Sequence, residues 1–225
     1  MAASEVRGGG YDMAEDLARF EGESESRDWR DFAESSLPPI LQAALDAIVE
    51  VGFHGTTIRK IAERAGLSVP GVYHYYGSKH DLLHHIMEAG MEDLWTRTTL
   101  AMKEADGQTR REFELYVECL VLYHASHPGI ASTALNEIRS LHDEARRQHI
   151  QRRDRQHRLL EHIIETGCAH GSFRTSYPRQ AATAIITMCT SIAQWYSAQG
   201  ELTPAELAAR YQAFALNIVE ASEVT

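Results

Sequence analysis

Residues 66–79, GLSVPGVYHYYGSK, gather hydroxyls, an imidazole and an ammonium into one short segment: Ser68, Tyr73, His74 and Lys79 are donors suited to phosphate oxygens and base edges. Just upstream, Thr56, Thr57, Arg59 and Lys60 add two hydroxyls and two cations. Residues 55–80 hold four Lys or Arg against Glu63 alone, a balance of +3, within a chain whose formal net charge is −10. That is a polyanion footprint on an acidic protein, whose acidic remainder suppresses loose, non-specific attachment to nucleic acid.

Two further groupings carry chemistry. Residues 146–158, RRQHIQRRDRQHR, hold six Arg against Asp154. Arg forks suit phosphate, so the run reads either as a solvated helix face or as a seat for the phosphates of a coenzyme A head group. On a helix Arg146, His149 and Arg153 share one face, and Arg152 lies nearer the apolar seam. His80, His84 and Glu88 recur every four residues, a spacing compatible with metal ligation, yet no H-E-x-x-H motif accompanies them. No Gly-rich phosphate loop, nucleophile elbow or compact acid–base set is present, which argues against an enzyme, including a metal-dependent hydrolase; no cofactor is expected.

These residues need helices to hold them. No segment alternates with period two, so the fold class is all-α, with about nine helices. Residues 1–35 hold four Arg against ten Asp or Glu and few aliphatics, and read as an acidic, disordered tail. A first helix opens at Ser36, places Ile40, Leu41, Ala44, Leu45, Ile48 and Val51 on one stripe, and closes at Gly52. Thr57 caps a short helix ended by Gly66, and Ser68 caps a second over Val69–Tyr75, which together make a helix-turn-helix. Ser78 with Asp81 opens a long helix from Lys79 to about Glu104. Further helices are expected at 109–126, 128–136, 138–166, 178–198 and 204–222, the last opened by a Thr203/Glu206 capping box. Three scattered cysteines without a C-x-x-C pair fit a reducing compartment, and the absence of a basic, apolar leader or a spanning segment points to the cytoplasm.

Residues 40–86, ILQAALDAIVEVGFHGTTIRKIAERAGLSVPGVYHYYGSKHDLLHHI, resemble the N-terminal domain of the TetR family of bacterial transcriptional regulators: G-F ends the first helix, followed by a T-T-x-x-x-I-A-x-x-A-G-L-S block and then V-Y-x-Y-Y-x-S-K-x-x-L. Tyr75 stands where many members have His, and Tyr76 where most have Phe. The resemblance implies a DNA-binding domain over 36–82 and an effector-binding and dimerisation domain over 83–225. It implies phosphate contacts from Thr57, Tyr73 and Lys79, and base-facing positions at Val69, Pro70, Gly71 and His74. It further implies a homodimer through the last two helices, by way of Ile185, Ile192, Leu207, Tyr211, Phe214 and Ile218. The C-terminal half is similar to a branch that responds to acyl-CoA effectors of lipid or sterol catabolism. Arg146, Arg152 and Arg153 would then meet the head group, and Phe113, Tyr116, Leu120, Tyr123, Met188 and Trp195 would line a cavity for the acyl tail. The alternative within this architecture is a repressor released by a drug-like or aromatic molecule.

Overall fold

The computed structural model describes residues 28–32 and 37–221. Among them run nine α-helices: α1 Pro39–Gly55, α2 Ile58–Arg64, α3 Val69–Tyr75, α4 Lys79–Glu104, α5 Thr109–Ser126, α6 Pro128–Glu137, α7 Asp143–Ala169, α8 Pro178–Trp195 and α9 Pro204–Ile218, with a 3₁₀ turn Ile138–Ser140 before α7. No helix among the described residues is long and apolar enough to cross a membrane.

Local chemistry accounts for the boundaries. Thr57, Ser68, Ser78 and Thr203 each accept a hydrogen bond from the backbone N–H three residues on, satisfying a donor that the first turn leaves open. At Thr203 the box is complete, with the Glu206 carboxylate accepting from the Thr203 N–H. At Ser78 it is displaced by one residue, because the Asp81 carboxylate takes the Gly77 N–H instead. Gly66, at φ 68°, turns the chain between α2 and α3. Gly52, at φ 74° and ψ 164°, breaks the helical path so that a last turn, Phe53–Gly55, points at α2. The expected opener Ser36 lies outside the described residues; Pro38 precedes the first turn and Pro39 occupies it.

Two apolar clusters organise the chain. The smaller holds Leu41, Ala44, Ile48, Phe53, Ile61, Val72, Leu82, Leu83, Ile86 and Met87, so α1–α3 pack on the first two turns of α4. Ile130 of α6 and Leu141 join this cluster, so the expected boundary at 82/83 falls inside a continuous helix and beside shared packing. The larger cluster centres on α5, which packs against α9, α8, α4 and α7. The second half of α5, Cys119–Ala125, is buried without interruption, as suits a helix covered on every side there.

The structure departs from the sequence expectation in three places. The helix expected over 138–166 is broken: Leu141 is extended, at ψ 144°, and α7 starts at Asp143. No Pro or Gly signals this break; burial of Leu141 in the small cluster overrides the helical pattern. The final helices stop earlier than expected, at Trp195 and Ile218, where the Val219 carbonyl accepts from the Arg174 and Thr175 N–H groups. Of the segment expected as a tail, Asp28–Phe32 is packed on the larger cluster, with Trp29 buried and Phe32 partly so; residues 1–27 lie outside the described residues.

Candidate DNA interface and effector cavity

The helix-turn-helix forms as its caps require, and it sorts its side chains. Val72 faces the core, while Ser68, Pro70, Tyr73, His74 and Tyr75 face outward, with Val69 and Gly71 half-covered; Tyr73 is 49% exposed and Tyr75 65%. At Gly71 a Cβ would sit 3.2 Å from the Ser68 hydroxyl oxygen, which accepts the Gly71 N–H at 3.1 Å. The glycine therefore keeps the cap intact as well as leaving the surface low. Thr57 and Arg59 are exposed on the supporting helix α2, and Arg59 makes no ion pair among the described residues.

Three expected DNA contacts are already engaged within the chain. Thr56 is 2% exposed, and its hydroxyl donates to the carbonyls of Ala47 and Gly52; it pins the Gly52 bend and cannot reach a phosphate. Lys79 is half-buried, and its ammonium donates to the carbonyls of Phe53 at 2.7 Å and Thr56 at 2.8 Å, closing the α1–α2 turn. Lys60 pairs with Glu50 at 3.0 Å, and Arg64 pairs with the same carboxylate at 2.7 Å. Those two cations hold the exposed Glu50 carboxyl below its ordinary range, Arg64 foremost. The island's net charge is thus lowered by an acid outside the sequence window that defined it.

A cavity of about 450 Å³ opens between α4, α5, α6, α7 and α8. Met87, Gly90, Met91 and Leu94 bring α4 to its wall, facing Tyr116, Leu120, Tyr123 and His124 of α5; Ile130 and Leu135 close one side and His149, Arg153 and Gln156 another. Its hydroxyls and amide are largely satisfied internally. Tyr116 donates to the Gln156 carbonyl at 2.8 Å, Tyr123 to the Gly90 carbonyl at 2.7 Å, and the Gln156 amide to Thr98 at 3.2 Å. Burial brings His124 down to about 4, and burial with the nearby Arg153 and Arg152 brings His149 down to about 4, so both imidazoles are neutral near pH 7. The wall offers apolar surface and neutral polar groups, with the exposed Arg153 and Asp154 at the rim.

Of the expected effector residues, Tyr116, Leu120, Tyr123 and Arg153 meet at this cavity. Phe113 does not: it is fully buried against Phe173, ring centroids 5.0 Å apart. Met188 packs on the larger cluster and Trp195 is 54% exposed, so neither lines the wall. The Arg run is mostly spent on neighbours, Arg146 on Asp143, Arg147 on Glu144 and Arg152 on Glu88, while Arg155 lies 3.6 Å from the centre of the Trp95 ring. His80 stacks on His142 with centroids 4.3 Å apart and Glu88 holds Arg152, so the His80/His84/Glu88 face is taken up by protein contacts. Among the described residues no three His, Cys, Asp or Glu side chains converge as a metal site. In the expected dimer face, Ile185, Ile192 and Leu207 are buried in their own chain's core and cannot contact a partner. Tyr211 and Ile218 are half-buried, and Phe214 is 54% exposed.

Residues 40–86 match the family profile described as bacterial regulatory proteins, tetR family, and residues 106–219 match a tetracyclin repressor-like C-terminal domain, just over half the chain by itself. The chain belongs to the TetR family. The HTH-type transcriptional repressor KstR2 of Mycolicibacterium smegmatis is 23% identical to this TetR-family chain over 186 residues, 82% of this chain and 90% of its own. A tetR-family regulatory protein from Rhodococcus RHA1 superposes with a TM-score of 0.75 at 26% identity, over 85% of this chain and 100% of that one. AibR, solved with isovaleryl coenzyme A and operator DNA, superposes with a TM-score of 0.71 at 23% identity over 81% of this chain and 97% of its own, a likeness of fold. Within this family frame, the features that sequence reasoning missed are the α4 and α6 contributions to the cavity, the Glu50 clamp and the docked Asp28–Phe32 segment. Only Met91 and Leu94 carried a signal, as apolar positions on α4 beyond the small core, which already takes Met87.

Proposed function

We propose that this regulator is a homodimeric repressor that binds operator DNA through α2–α3 and is released when a small molecule fills the cavity. The observation that carries the reading is the shared wall: α4 both anchors the helix-turn-helix through Leu82, Leu83 and Ile86 and lines the cavity through Met87, Gly90, Met91 and Leu94. An occupant that favours one position of α4 biases where the reading helices sit, and two half-sites about one DNA turn, ~34 Å, apart tolerate little change. Thr57 and Tyr73 serve as phosphate donors in this reading, Arg59 as an exposed cation beside them, and Ser68–Gly71 with His74 as the base-facing surface. The protein acts in the cytoplasm and has no catalytic role of its own.

The effector we propose is an acyl-CoA, its acyl chain in the cavity and its head group over the rim at Arg153. Arg153 supports this as the Arg that lines the cavity and makes no ion pair among the described residues. AibR, of the same fold, is solved with such a thioester. A second reading, an uncharged apolar or aromatic effector, is favoured by the neutral wall and by the self-paired state of Arg146, Arg147 and Arg152. The dimer face in either case is the outer side of α8–α9, where Trp195 and Phe214 are exposed. The test is displacement of a fluorescent DNA fragment from the protein's own upstream region by decanoyl-CoA, decanoate and decanol. Release by the thioester alone supports the acyl-CoA, release by decanol sinks it, and no release by any of the three removes both effectors.

A further inference from the structure

A short segment ahead of α1 is built into the effector-binding half. Trp29 is 4% exposed and donates its indole N–H to Glu104 at 2.7 Å, at the far end of α4. Arg30 forks onto Glu104 and Glu118, joining α4 to α5, and lies 3.8 Å from the centre of the Trp29 ring. The decisive contact comes from α4: Arg97, 0% exposed, pairs with Asp93 at 3.0 Å and donates to the carbonyls of Trp29 and Asp31, both at 2.8 Å. Its guanidinium also stacks 3.9 Å from the centre of the Phe32 ring. A buried guanidinium needs its donors filled, and backbone carbonyls of this segment fill two of them, so the docking is specific rather than incidental.

Five residues later the chain enters the other half, because Leu37 is buried in the small cluster with Leu41 and Phe53. From Phe32 to Leu37 the backbone can span at most about 18 Å. The DNA-binding domain is therefore attached to the effector domain twice, once through the continuous helix α4 and once through this short tether. Phe32 also packs edge-on against Tyr123, centroids 6.5 Å apart, and Tyr123 is among the residues that line the effector cavity.

We infer that Asp28–Phe32 is a strap: docked on Arg97 and Tyr123, it limits how far the DNA-binding domain swings about α4 and reports cavity occupancy to the start of α1. It rests on the proposed effector cavity for the second role only; the first is a mechanical property of the chain. Arg97 is the positioning residue of the strap.

Slack in the tether separates this role from simple packing. A six-residue Gly-Ser insertion after Phe32 keeps every docked contact and adds about 13 Å of flexible reach. Nitroxides at Glu63→Cys on α2 and Glu165→Cys on α7, in a Cys168→Ser background and spin-diluted with unlabelled protein, report the distance between the two halves of one protomer by double electron–electron resonance. The strap requires the insertion to broaden that distance distribution about twofold with an unchanged melting temperature. The double variant Trp29→Ala/Phe32→Ala should broaden it likewise, at a lower melting temperature. An insertion variant with the wild-type distribution overturns the strap, whatever the double variant does, and leaves the repressor reading untouched. Decanoyl-CoA added to the same labelled wild type tests the reporting role: a shifted distribution in wild type but not in the insertion variant supports it, and equal shifts in both overturn it.

Discussion

Lys79→Met separates a structural lysine from a phosphate-binding one. In the folded chain the ammonium makes two short charge-assisted hydrogen bonds, at 2.7 and 2.8 Å, to the carbonyls that close the α1–α2 turn, and sits 4.4 Å from the centre of the Phe53 ring. Each such bond is worth about 1.5–3 kcal/mol when buried, and the cation–π contact adds about 0.5–1. Lys79 is only half-buried, so water replaces part of what the substitution removes, and methionine keeps the apolar stem packed; the expected loss is about 2 kcal/mol. For a domain of this size that lowers the melting temperature by roughly 4–8 °C. Differential scanning calorimetry gives the stability, and a salt titration of DNA binding gives the second coordinate. A lysine serving phosphate alone would leave the melting temperature unchanged and reduce the slope of log K against log salt by about 0.9 per site. That combination would refute the assignment of Lys79 to the turn.

Other outcomes follow from the same structure. Gly167→Ala puts a Cβ 2.1 Å from Phe173 Cδ2, and because Phe173 is locked against Phe113 the overpacking should cost about 1–3 kcal/mol by urea denaturation, outweighing the helix-propensity gain. Acid should weaken the fold between about pH 6.5 and 4: His124 and His149 stay neutral in the native state but take up protons once unfolded, so each removes up to about 3 kcal/mol by the lower limit. Glu104 acts in a lower window, since its carboxyl is held down to about 2, foremost by Arg30, and the stability it adds disappears as pH falls from about 4.5 towards 2. Both windows are read from melting temperatures across pH, with His124→Asn removing part of the first. Arg153→Ala should weaken release of DNA by decanoyl-CoA about tenfold and leave release by an uncharged ligand unaltered. Arg152→Ala, which unpairs Glu88 outside the cavity lining, should leave thioester release within about threefold.

What the sequence made legible follows from how local each cause is. Caps at Thr57, Ser68, Ser78 and Thr203 act within three residues, so helix starts at Ile58, Val69, Lys79 and Pro204 could be read directly. The break at Leu141 could not, because it is set by burial against α1 and α4 rather than by any turn residue. Ile185, Ile192 and Leu207 looked like interface residues because an apolar stripe does not say whether its partner lies in the same chain. Thr56 and Lys79 had the right chemistry for phosphate but spend it on the Gly52 bend, a tertiary demand invisible to composition. The docked arm was hidden by its own acidity: Trp29 and Phe32 stand out only once Arg97 is known to be buried 65 or more positions away.

Fluorescence anisotropy of a DNA fragment from the protein's own upstream region, across salt concentrations, with and without decanoyl-CoA, tests the coupling of cavity to DNA most directly. The expected result is specific binding that weakens steeply with salt, and a loss of affinity on adding the thioester of about a hundredfold, or about 2.7 kcal/mol of coupling. Specific binding that no cavity ligand alters would contradict the link through α4. Binding no tighter than to unrelated DNA, at low salt, would contradict the role given to α2–α3.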